Sequence, residues 1–315
     1  MIRVENLSKN YGPVRAVRSI SFDLDDGQVI GFLGANGAGK STTLKIMTGY
    51  ISPTAGNVYY NDHNIQENTS EIQKDIGYLP ELNPLYGEMR VHDYLKFISE
   101  IRGIPKENFK SSFQKVVEEC ALNAVAHRTI GNCSKGYKQR IGLAAAMIHD
   151  PKILILDEPV SGLDPNQIVE IRQLIRKLGK EKIVIMSSHI LQEIQATVDR
   201  IIIINEGSIV ADGSSDSLLS DTNAKTELSM DVENADENDI NDMKAIIPSI
   251  DISSISKEGT YTKINIKYPK NNDPRSDIFK YAVDKGWTIL EMFATKQNLE
   301  DIFRNLTSSN ESNNG

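Results

Sequence analysis

The sequence predicts an α/β fold with a largely parallel, buried sheet, an inserted helical segment, and a small α+β domain towards the C-terminus. Three observations lead to this prediction. Apolar runs of strand length alternate with helix-like segments up to residue 211, which is typical of a parallel sheet covered by helices. Residues 88–150 have helical periodicity throughout. The composition then shifts to short polar residues at 212–216, which indicates a boundary.

Length and composition limit the class of protein. The chain has 315 residues, enough for two domains. Its net charge of −8 argues against a general nucleic-acid grip, because such binding needs a basic face, and no nucleic-acid partner is expected. The two cysteines are too few for a disulfide scaffold and their spacing matches no metal site, so a reducing cytosol is the simple interpretation.

Membrane-spanning segments are not predicted. The longest apolar runs, such as residues 201–204, have the length of strands, whereas a membrane span needs about 20 apolar residues. Residues 1–5 lead directly into strand-like sequence, so no signal peptide is expected. If the protein acts at a membrane, we expect it to do so through a partner.

The first part of the chain predicts strands. Residues 1–30 alternate in the β manner and turn at residues 25–27. Tyr11 is predicted to lie in a turn, where an exposed ring could stack on a nucleotide base. Spacing alone favours the other interpretation, in which this tyrosine packs against the sheet.

A glycine-rich loop follows, between a strand-like run at residues 28–33 and a helix-like run at residues 43–47. It matches the phosphate-loop pattern G-x-x-x-x-G-K-[ST] with Gly34, Ala35, Asn36, Gly37, Ala38, Gly39, Lys40, Ser41 and Thr42. The strand–loop–helix context is the one that this motif requires. A glycine-rich turn with a chance lysine would not need matching flanks, so the sequence predicts nucleotide binding.

Each residue type in the loop has a chemical role. Glycines let the backbone fold around a polyphosphate with its N–H groups pointing inward, and the helix start adds a partial positive charge. Lys40 can reach the β- and γ-phosphates as a point charge. The Ser41 hydroxyl can ligate Mg²⁺.

Helices and strands alternate beyond the loop. The predicted elements are strands at 57–60 and 76–80, the helical insertion at about 88–150, a strand at 152–156, a helix at 165–178, a strand at 183–186, a helix at 190–197, and strands at 200–204 and 208–211. This order places residues 1–221 in one nucleotide-binding domain with a helical subdomain.

The C-terminal part predicts a second, smaller domain at residues 222–306. After a linker or capping helix, the predicted elements are strand 226–232, helix 237–247, strands 250–256 and 260–268, helix 274–284 and strand 287–294. This βαββαβ order is the ferredoxin-like pattern. A last helix is predicted at residues 298–306, followed by a disordered Ser/Asn-rich tail at 307–315.

Two acidic residues end the strand at 152–156. Asp157 can hold the Mg²⁺ that bridges the phosphates, and Glu158 would point at the γ-phosphate, where it could activate water as a general base. An acidic strand cap is the alternative, which the phosphate loop makes the weaker one. His189 also follows an apolar strand, and could bind the γ-phosphate or orient water, although a lone histidine there is usually structural.

A second helix start suits an anion. Residues 133–140 open a predicted helix with Ser134 and Gly136. The alternative is an ordinary helix cap. Two such sites in one chain suggest a two-subunit arrangement with one site from each partner.

Taken together, these motifs resemble a known family. The phosphate loop, the helical insertion, residues 134–140, the acidic strand with Glu158, residues 161–164 and His189 occur in one order. Over residues 1 to about 215 the chain closely resembles the ATP-binding subunit of ABC transporters. The resemblance implies a P-loop NTPase fold of the ABC ATPase type that binds ATP and Mg²⁺ between two copies of the chain.

The resemblance also implies roles for individual residues. Tyr11 would stack on adenine, Ser134 and Gly136 would contact the γ-phosphate across the interface, and Asp164 would couple the two sites. His189 would be the switch histidine and Glu158 the catalytic base.

This sequence departs from the family pattern at two places. The usual Leu-Ser-Gly-Gly-Gln signature reads Cys133-Ser134-Lys135-Gly136-Tyr137, and the usual glutamine after the strand at 76–80 is Glu81. A carboxylate at this position can still bind Mg²⁺ or water, but it would repel the γ-phosphate without a metal. Residues 78–86 and 162–167 are similar to export-type ABC ATPases, including the subunit of the gliding-motility-associated transporter.

The predicted function is ATP hydrolysis coupled to transport by a separate integral membrane permease, at the cytoplasmic face of the cell membrane. The helical insertion and the Glu81 loop would contact that permease. The alternative is a soluble ABC ATPase that acts on ribosomes or DNA, and a third interpretation is a regulator with little hydrolysis. One cassette, the absence of a heptad run and two cysteines favour the transporter.

Overall fold

The computed structural model of the chain describes residues 1–221, 225–269, 272–295, 299–300 and 303–304. The chain divides into two compact units, a first unit of Met1–Ser215 and a second unit that begins at Asp216. The division falls at the start of helix α8 (Ser215–Asp221), inside the predicted polar linker. The predicted disordered tail at 307–315 lies outside the described residues.

The first unit alternates strands and helices much as the sequence predicts. Its elements are β1 (Ile2–Tyr11), β2 (Val14–Leu24), β3 (Val29–Leu33), α1 (Lys40–Met47), β4 (Ala55–Tyr60), β5 (His63–Asn64), α2 (Thr69–Ile72), β6 (Ile76–Leu79), α3 (Val91–Ile101), α4 (Lys106–Glu119), α5 (Lys135–Met147), β7 (Ile153–Leu156), α6 (Pro165–Gly179), β8 (Ile183–Ser188), α7 (Leu191–Gln195), β9 (Arg200–Asn205) and β10 (Ser208–Gly213). Two short 3₁₀ turns lie at Gln73–Asp75 and Ile130–Asn132.

A six-stranded sheet forms the centre of this unit, in the order β10-β9-β3-β8-β7-β6. The strands β9, β3, β8, β7 and β6 pair in parallel, and β10 is antiparallel to β9. Every residue of β3, β7 and β8 is buried, as expected of parallel strands covered on both faces. The predicted parallel, buried sheet is therefore confirmed.

The first unit also contains an antiparallel sheet that the sequence analysis did not separate from the first. Its order is β2-β1-β4-β5, and β1 pairs with both β2 and β4. Strand character at residues 1–24 and 57–60 was visible locally, but the pairing between distant strands was not. Tyr11 ends strand β1, so its predicted place within the turn is corrected by one residue.

The helical insertion contains α3, α4 and α5 between β6 and β7, as predicted. It is not wholly helical, since Arg90 and Thr129 form an isolated antiparallel bridge. The loop after β6 is fixed to helix α5, because the Asn83 side chain donates a hydrogen bond to the carbonyl of Lys138 at 3.0 Å. This contact joins the Glu81 loop to the helix that begins beside Ser134.

The second unit has the predicted βαββαβ order. After α8 it contains β11 (Lys225–Glu233), α9 (Glu237–Ile246), β12 (Asp251–Glu258), β13 (Tyr261–Pro269), α10 (Arg275–Asp284) and β14 (Thr288–Thr295). The antiparallel sheet has the order β12-β13-β11-β14. Alternate residues of β11 and β13 pack with both helices around a core that includes Ile264, Ile266 and Trp287.

Two remaining predictions concern the C-terminus and the membrane. Of the predicted helix at 298–306, residues 299–300 and 303–304 are helical, and the others lie outside the described residues. Within the part of the chain that the structure describes, none of the helices has the length and apolar character needed to cross a bilayer.

Candidate active site

The phosphate loop connects the buried strand β3 to helix α1, as predicted. Gly39 caps the helix with a φ of 110°, a conformation that favours glycine. A β-carbon at Gly34 would collide with the carbonyl of Ile204. The loop is therefore held close to the end of β9, and glycine is needed at both positions. Asn36, Gly37, Ala38 and Thr42 lie in this loop and helix start.

Lys40 folds over the loop that precedes it. Its Nζ donates hydrogen bonds to the carbonyls of Gly34 at 2.7 Å and Ala35 at 3.2 Å, and the side chain is 6% exposed. Burial lowers the pKa of Lys40, while the charges of Glu158, Asp157 and Glu81 oppose that change. Since this lysine is a buried cation, a bound polyphosphate would add a favourable partner.

Ser41 and Asp157 meet at the carboxyl edge of the sheet. Strand β7 ends at Leu156, and Asp157 follows at 1% exposure. The Ser41 hydroxyl donates a hydrogen bond to Asp157 Oδ1 at 3.1 Å. A hydroxyl beside a carboxylate is the hard oxygen donor set that Mg²⁺ prefers when phosphate oxygens and water complete the coordination. The residues present therefore fit this ion. Within the described residues, groups of three or more His, Cys, Asp or Glu side chains that could hold a metal are absent.

Glu158 and His189 come together from adjacent strands. The Nδ1 atom of His189 lies 3.0 and 3.1 Å from the two carboxylate oxygens of Glu158. Glu158 Oε1 also lies 3.8 Å from Lys40 Nζ. Glu158 is 6% exposed, whereas the His189 side chain is 42% exposed. The glutamate is thus held inside the site, and the histidine lies at its surface.

The surroundings of Glu158 suit a base. Burial raises the pKa of Glu158, and contacts with His189 and Lys40 oppose the shift. A carboxylate with a raised pKa accepts a proton more readily near neutral pH. Its backbone φ of 49° is in the left-handed region, which is uncommon for a residue with a side chain and is often found at active sites.

Ser134 and Gly136 lie at the start of helix α5 and make contacts within their own chain. Ser134 caps the helix by accepting a hydrogen bond from the Tyr137 N–H at 3.4 Å. A β-carbon at Gly136 would collide with the side chain of Gln167. The ordinary cap is therefore present, and it leaves the exposed face of Ser134 open to an anion.

Asp164, Tyr11 and Glu81 are exposed residues. Asp164 caps helix α6 by accepting a hydrogen bond from the Gln167 N–H at 3.0 Å. The Tyr11 ring is 48% exposed and has Lys9 Nζ 5.3 Å from its centroid. Glu81 follows β6, near enough for its charge to oppose the lowering of the Lys40 pKa that burial causes.

One residue at the centre of the site was given no role from the sequence. Ser187, on β8, contacts both Asp157 and Glu158. The available signal was a hydroxyl at the end of a strand whose earlier residues are all apolar. Gln167 and Asn83, which pack against Gly136 and Gly142, had no local signal.

The fold and this site define a P-loop nucleotide-binding protein with two acidic residues beside the loop. The model of the ABC transporter family matches residues 17–161. The chain is 33% identical over 305 residues to the bacitracin transport ATP-binding protein BcrA of Bacillus licheniformis, with 96% of each chain covered. It is 30% identical over 308 residues to the linearmycin resistance ATP-binding protein LnrL of Bacillus subtilis, with 98% of each covered. The chain therefore belongs to the family of ABC transporter ATP-binding proteins.

Other matches cover about two thirds of the chain. The chain is 35% identical to the ABC transporter A family member 1 of Dictyostelium discoideum over 216 residues, which is 66% of this chain and 25% of that protein. A solved ATP-binding subunit of an ABC transporter has 26% identity and a TM-score of 0.64, covering 70% of this chain and 92% of the other. A dimeric bacterial ABC transporter cassette shares the fold at 23% identity and a TM-score of 0.62, covering 68% and 98%.

Membership of the family confirms the predicted P-loop fold of the ABC ATPase type and the predicted function. The chain is an ATP-binding subunit of an ABC transporter, and it is an ATPase. The names of these relatives refer to transport or resistance, and they give no support to the alternative of an ATPase that acts on ribosomes or DNA.

Proposed function

We propose that this chain hydrolyses ATP with Glu158 as the general base and drives a separate membrane permease by closing as a dimer. The observation that carries the proposal is the cluster at the carboxyl edge of the sheet. There, Glu158 lies 3.0 Å from His189 Nδ1 and 3.8 Å from Lys40 Nζ, directly after the residue that contacts Ser41. Phosphate-binding and proton-accepting groups thus share one small volume.

In the proposed mechanism, Lys40 turns from the carbonyls of the loop to the β- and γ-phosphates of ATP. The loop amides and the start of α1 orient the same phosphates. Ser41 and Asp157 would hold Mg²⁺, with Glu81 as a further oxygen donor. When bound, this ion would supply positive charge that offsets the charge of the phosphates.

Glu158 accepts a proton from the attacking water. His189, on the exposed side, orients that water and contacts the γ-phosphate. Its contact with Glu158 keeps the carboxylate directed toward the exposed edge, where ATP enters. Burial raises the pKa of Glu158 toward neutral pH, and this makes the carboxylate a better proton acceptor there.

We further propose that two copies enclose each ATP. Ser134 and Gly136 of one copy would contact the γ-phosphate bound by the other, Tyr11 would stack on adenine, and Asp164 would connect the two sites. The support is the exposed Ser134 at the anion-suited start of helix α5, where Gly136 is buried, and the shared fold with a cassette solved as a dimer. Closure would bring the two half-sites together.

The permease partner would hold the chain at the cytoplasmic face of the cell membrane. Two relatives that match the chain over nearly its full length are named for bacitracin transport and linearmycin resistance. We therefore propose an export-type transporter whose substrate is an antimicrobial compound. The resemblance to the gliding-motility-associated subunit is compatible with export and remains a proposal about the subgroup.

The base is tested with Glu158→Gln, which keeps the size of the side chain and removes its charge. Steady-state hydrolysis should fall by about 10²- to 10⁴-fold, while ATP binding persists. Nucleotide titration and phosphate release on the same purified sample give both values. Near-normal turnover in this variant would exclude Glu158 as the base.

The dimer is tested in the Glu158→Gln background, where bound ATP is not consumed. This protein should be a monomer without nucleotide and a dimer with ATP and Mg²⁺ in light scattering. Adding Ser134→Arg should prevent the dimer by bulk and charge. A dimer that ignores both the nucleotide and the arginine would contradict the proposed arrangement.

The partner is tested by affinity purification of the full chain from detergent-solubilised membranes. A multi-span membrane protein should co-purify and be identified by mass spectrometry. Deleting that protein should change resistance to bacitracin-like compounds if the substrate class is right. Recovery of ribosomal or DNA-repair proteins in its place would contradict the transporter assignment.

A further inference from the structure

Ser187 lies at the centre of the site, between the strand that leads into the phosphate loop and the two acidic residues. It is the fifth residue of β8, and in the parallel pairing it lies opposite Phe32 of β3. On the other side, β7 pairs up to Leu156 with Met186. Ser187 is therefore between the phosphate-loop strand and the acidic residues, at 0% exposure.

The Ser187 hydroxyl connects two consecutive residues of the site. It donates a hydrogen bond to Asp157 Oδ1 at 2.6 Å, and it accepts one from the backbone N–H of Glu158 at 2.9 Å. Because a hydroxyl has one proton to donate and lone pairs to accept, it can serve both at once. Asp157 Oδ1 also accepts from Ser41, so two hydroxyls fix the same oxygen.

The position has no packing reason to be polar. The four preceding residues of the strand, Ile183 to Met186, are all buried and apolar. A buried hydroxyl without a partner is unfavourable, so its presence calls for the hydrogen bonds that it makes. The next residue, Ser188, is equally buried but bonds to Glu193 at 2.6 Å and accepts from the Ile190 N–H at 3.0 Å.

The hydrogen bond from the Glu158 N–H to Ser187 also supports an unusual backbone conformation at Glu158. With a φ of 49°, Glu158 has a conformation that is uncommon for a residue with a side chain. Its N–H would be an unpaired buried donor without the serine. The Ser187 bond thus helps hold the strained backbone from which the Glu158 carboxylate reaches His189.

We propose that Ser187 is a positioning residue for ATP hydrolysis, which sets the metal-side carboxylate of Asp157 and the backbone of Glu158 with one hydroxyl. The inference rests on the proposed roles of Asp157 and Glu158. It adds a residue outside the phosphate loop, the acidic pair and the histidine. Losing the hydroxyl would misorient both groups together, without removing any group that touches ATP.

Ser187→Ala in the full chain tests this inference, with Ser187→Thr as the variant that restores a hydroxyl. Ser99→Ala is the matched control, because Ser99 is 1% exposed and its hydroxyl donates at 2.6 Å to the Lys96 carbonyl on α3. ATP is titrated in EDTA and again with Mg²⁺, and kcat and KM are measured on the same samples. Titration in EDTA also reports the folded fraction.

In Ser187→Ala we expect unchanged ATP affinity in EDTA. The gain in affinity on adding Mg²⁺ should shrink, and kcat should fall, each by about 10- to 100-fold, since groups that orient metal ligands commonly have effects of this size. KM should change little by comparison. Ser187→Thr should recover most of kcat and of the Mg²⁺-dependent gain in affinity. Ser99→Ala should keep the kcat and the Mg²⁺-dependent gain of the wild type, while its thermal stability falls by an amount similar to that in Ser187→Ala.

Several outcomes would overturn the inference. One is a normal kcat and Mg²⁺ response in Ser187→Ala, and another is an equal loss in Ser99→Ala. If Ser187→Ala does not fold, Ser187→Cys replaces it, because a thiol is a weak hydrogen-bonding group of similar size. Glu158→Gln is measured in parallel. Normal turnover there refutes the base itself, whereas lost turnover there with normal Ser187→Ala refutes only the serine.

Discussion

The two units of the chain bury different kinds of side chain. In the first unit, the carboxyl edge of the parallel sheet buries Lys40, Asp157 and Glu158. Burial lowers the pKa of the lysine and raises the pKa of the glutamate, and both shifts favour the neutral form of the side chain. In the described part of the second unit, the buried polar residues are Thr226 and Thr262. The first unit therefore keeps charges in unfavourable surroundings, and the described part of the second unit does not.

The comparison separates residues that serve chemistry from residues that serve packing. Burying a charge lowers stability unless partners compensate for lost hydration. The first unit accepts this at the edge where we propose that ATP binds, over a core of apolar strands. The second unit has an apolar core between one face of a sheet and two helices, with its charges outside. We expect substitutions in the two units to affect different measurements.

The largest expected effect on stability is in the second unit. Ile264→Ala removes a fully buried side chain from the centre of β13 and should cost about 2–5 kcal/mol. ATP affinity should stay unchanged, because the site lies entirely in the first unit. Calorimetry and nucleotide titration on the same sample measure both, and residues 1–221 expressed alone should bind ATP like the full chain. Loss of ATP affinity in either sample would mean that the units fold as one.

The next effect is on binding. Lys40→Ala should weaken ATP binding by about 1.5–3 kcal/mol, or roughly 10- to 150-fold in Kd, the range for hydrogen bonds to charged groups. Stability should fall little or rise, since the substitution removes a buried cation. Lys285→Ala in the second unit is the control, because that lysine pairs with Asp239 at the surface. An unchanged ATP affinity in Lys40→Ala would show that this lysine does not bind the nucleotide.

The sequence predicts the phosphate loop in more detail than it predicts the contacts around Glu158. The phosphate loop was predicted residue by residue, because strand, loop and helix are contiguous in the chain. The contact between Glu158 and His189 was not, since it depends on β7 lying beside β8. Ser187 was overlooked for the same reason. A hydroxyl at a strand end has no evident purpose until the neighbouring strand is known.

The fold shows the same division between local and distant information. Alternation along β11 and β13 and the periodicity of α9 and α10 predicted the βαββαβ order, because each element carries its own pattern. The antiparallel sheet of β2, β1, β4 and β5 was overlooked, because pairing of β1 with β4 joins distant segments. From the sequence, Gly136 fits either an anion-binding helix start or an ordinary helix cap. The structure adds a close packing contact between Gly136 and the side chain of Gln167.

A smaller effect concerns stability against pH. The pKa of Glu158 is raised in the folded chain above its ordinary value of 4.5, so the folded state binds more protons than the unfolded state just above that value. Stability should therefore fall as the pH rises through this window. Glu158→Gln cannot ionise, so it should melt at a higher temperature than the wild type at neutral pH.

This gain should vanish below pH 4.5, where both states are protonated. Each kcal/mol recovered corresponds to about 2–4 °C in Tm for a domain of this size. Glu100→Gln, at an exposed position on α3, is the control for replacing a glutamate by glutamine at the surface. A lower Tm for Glu158→Gln at neutral pH would mean that the Lys40 and His189 contacts outweigh burial.

The smallest effects compare one surface ion pair from each unit. Arg200 of the first unit contacts Asp212 through two hydrogen bonds of 2.6 and 2.7 Å, with both side chains 27% exposed. Lys244 of the second unit contacts Asp251 at 2.7 Å, with exposures of 56% and 51%. Exposed pairs couple by about 0.2–1 kcal/mol, whereas a bidentate, half-buried pair is stronger. Double-mutant cycles should therefore give a larger coupling energy for the arginine pair, and high salt should reduce the lysine pair more, because water and ions reach it more easily. Equal coupling in both pairs would show that partial burial changes little at the surface, and would confine the difference between the units to the ATP site.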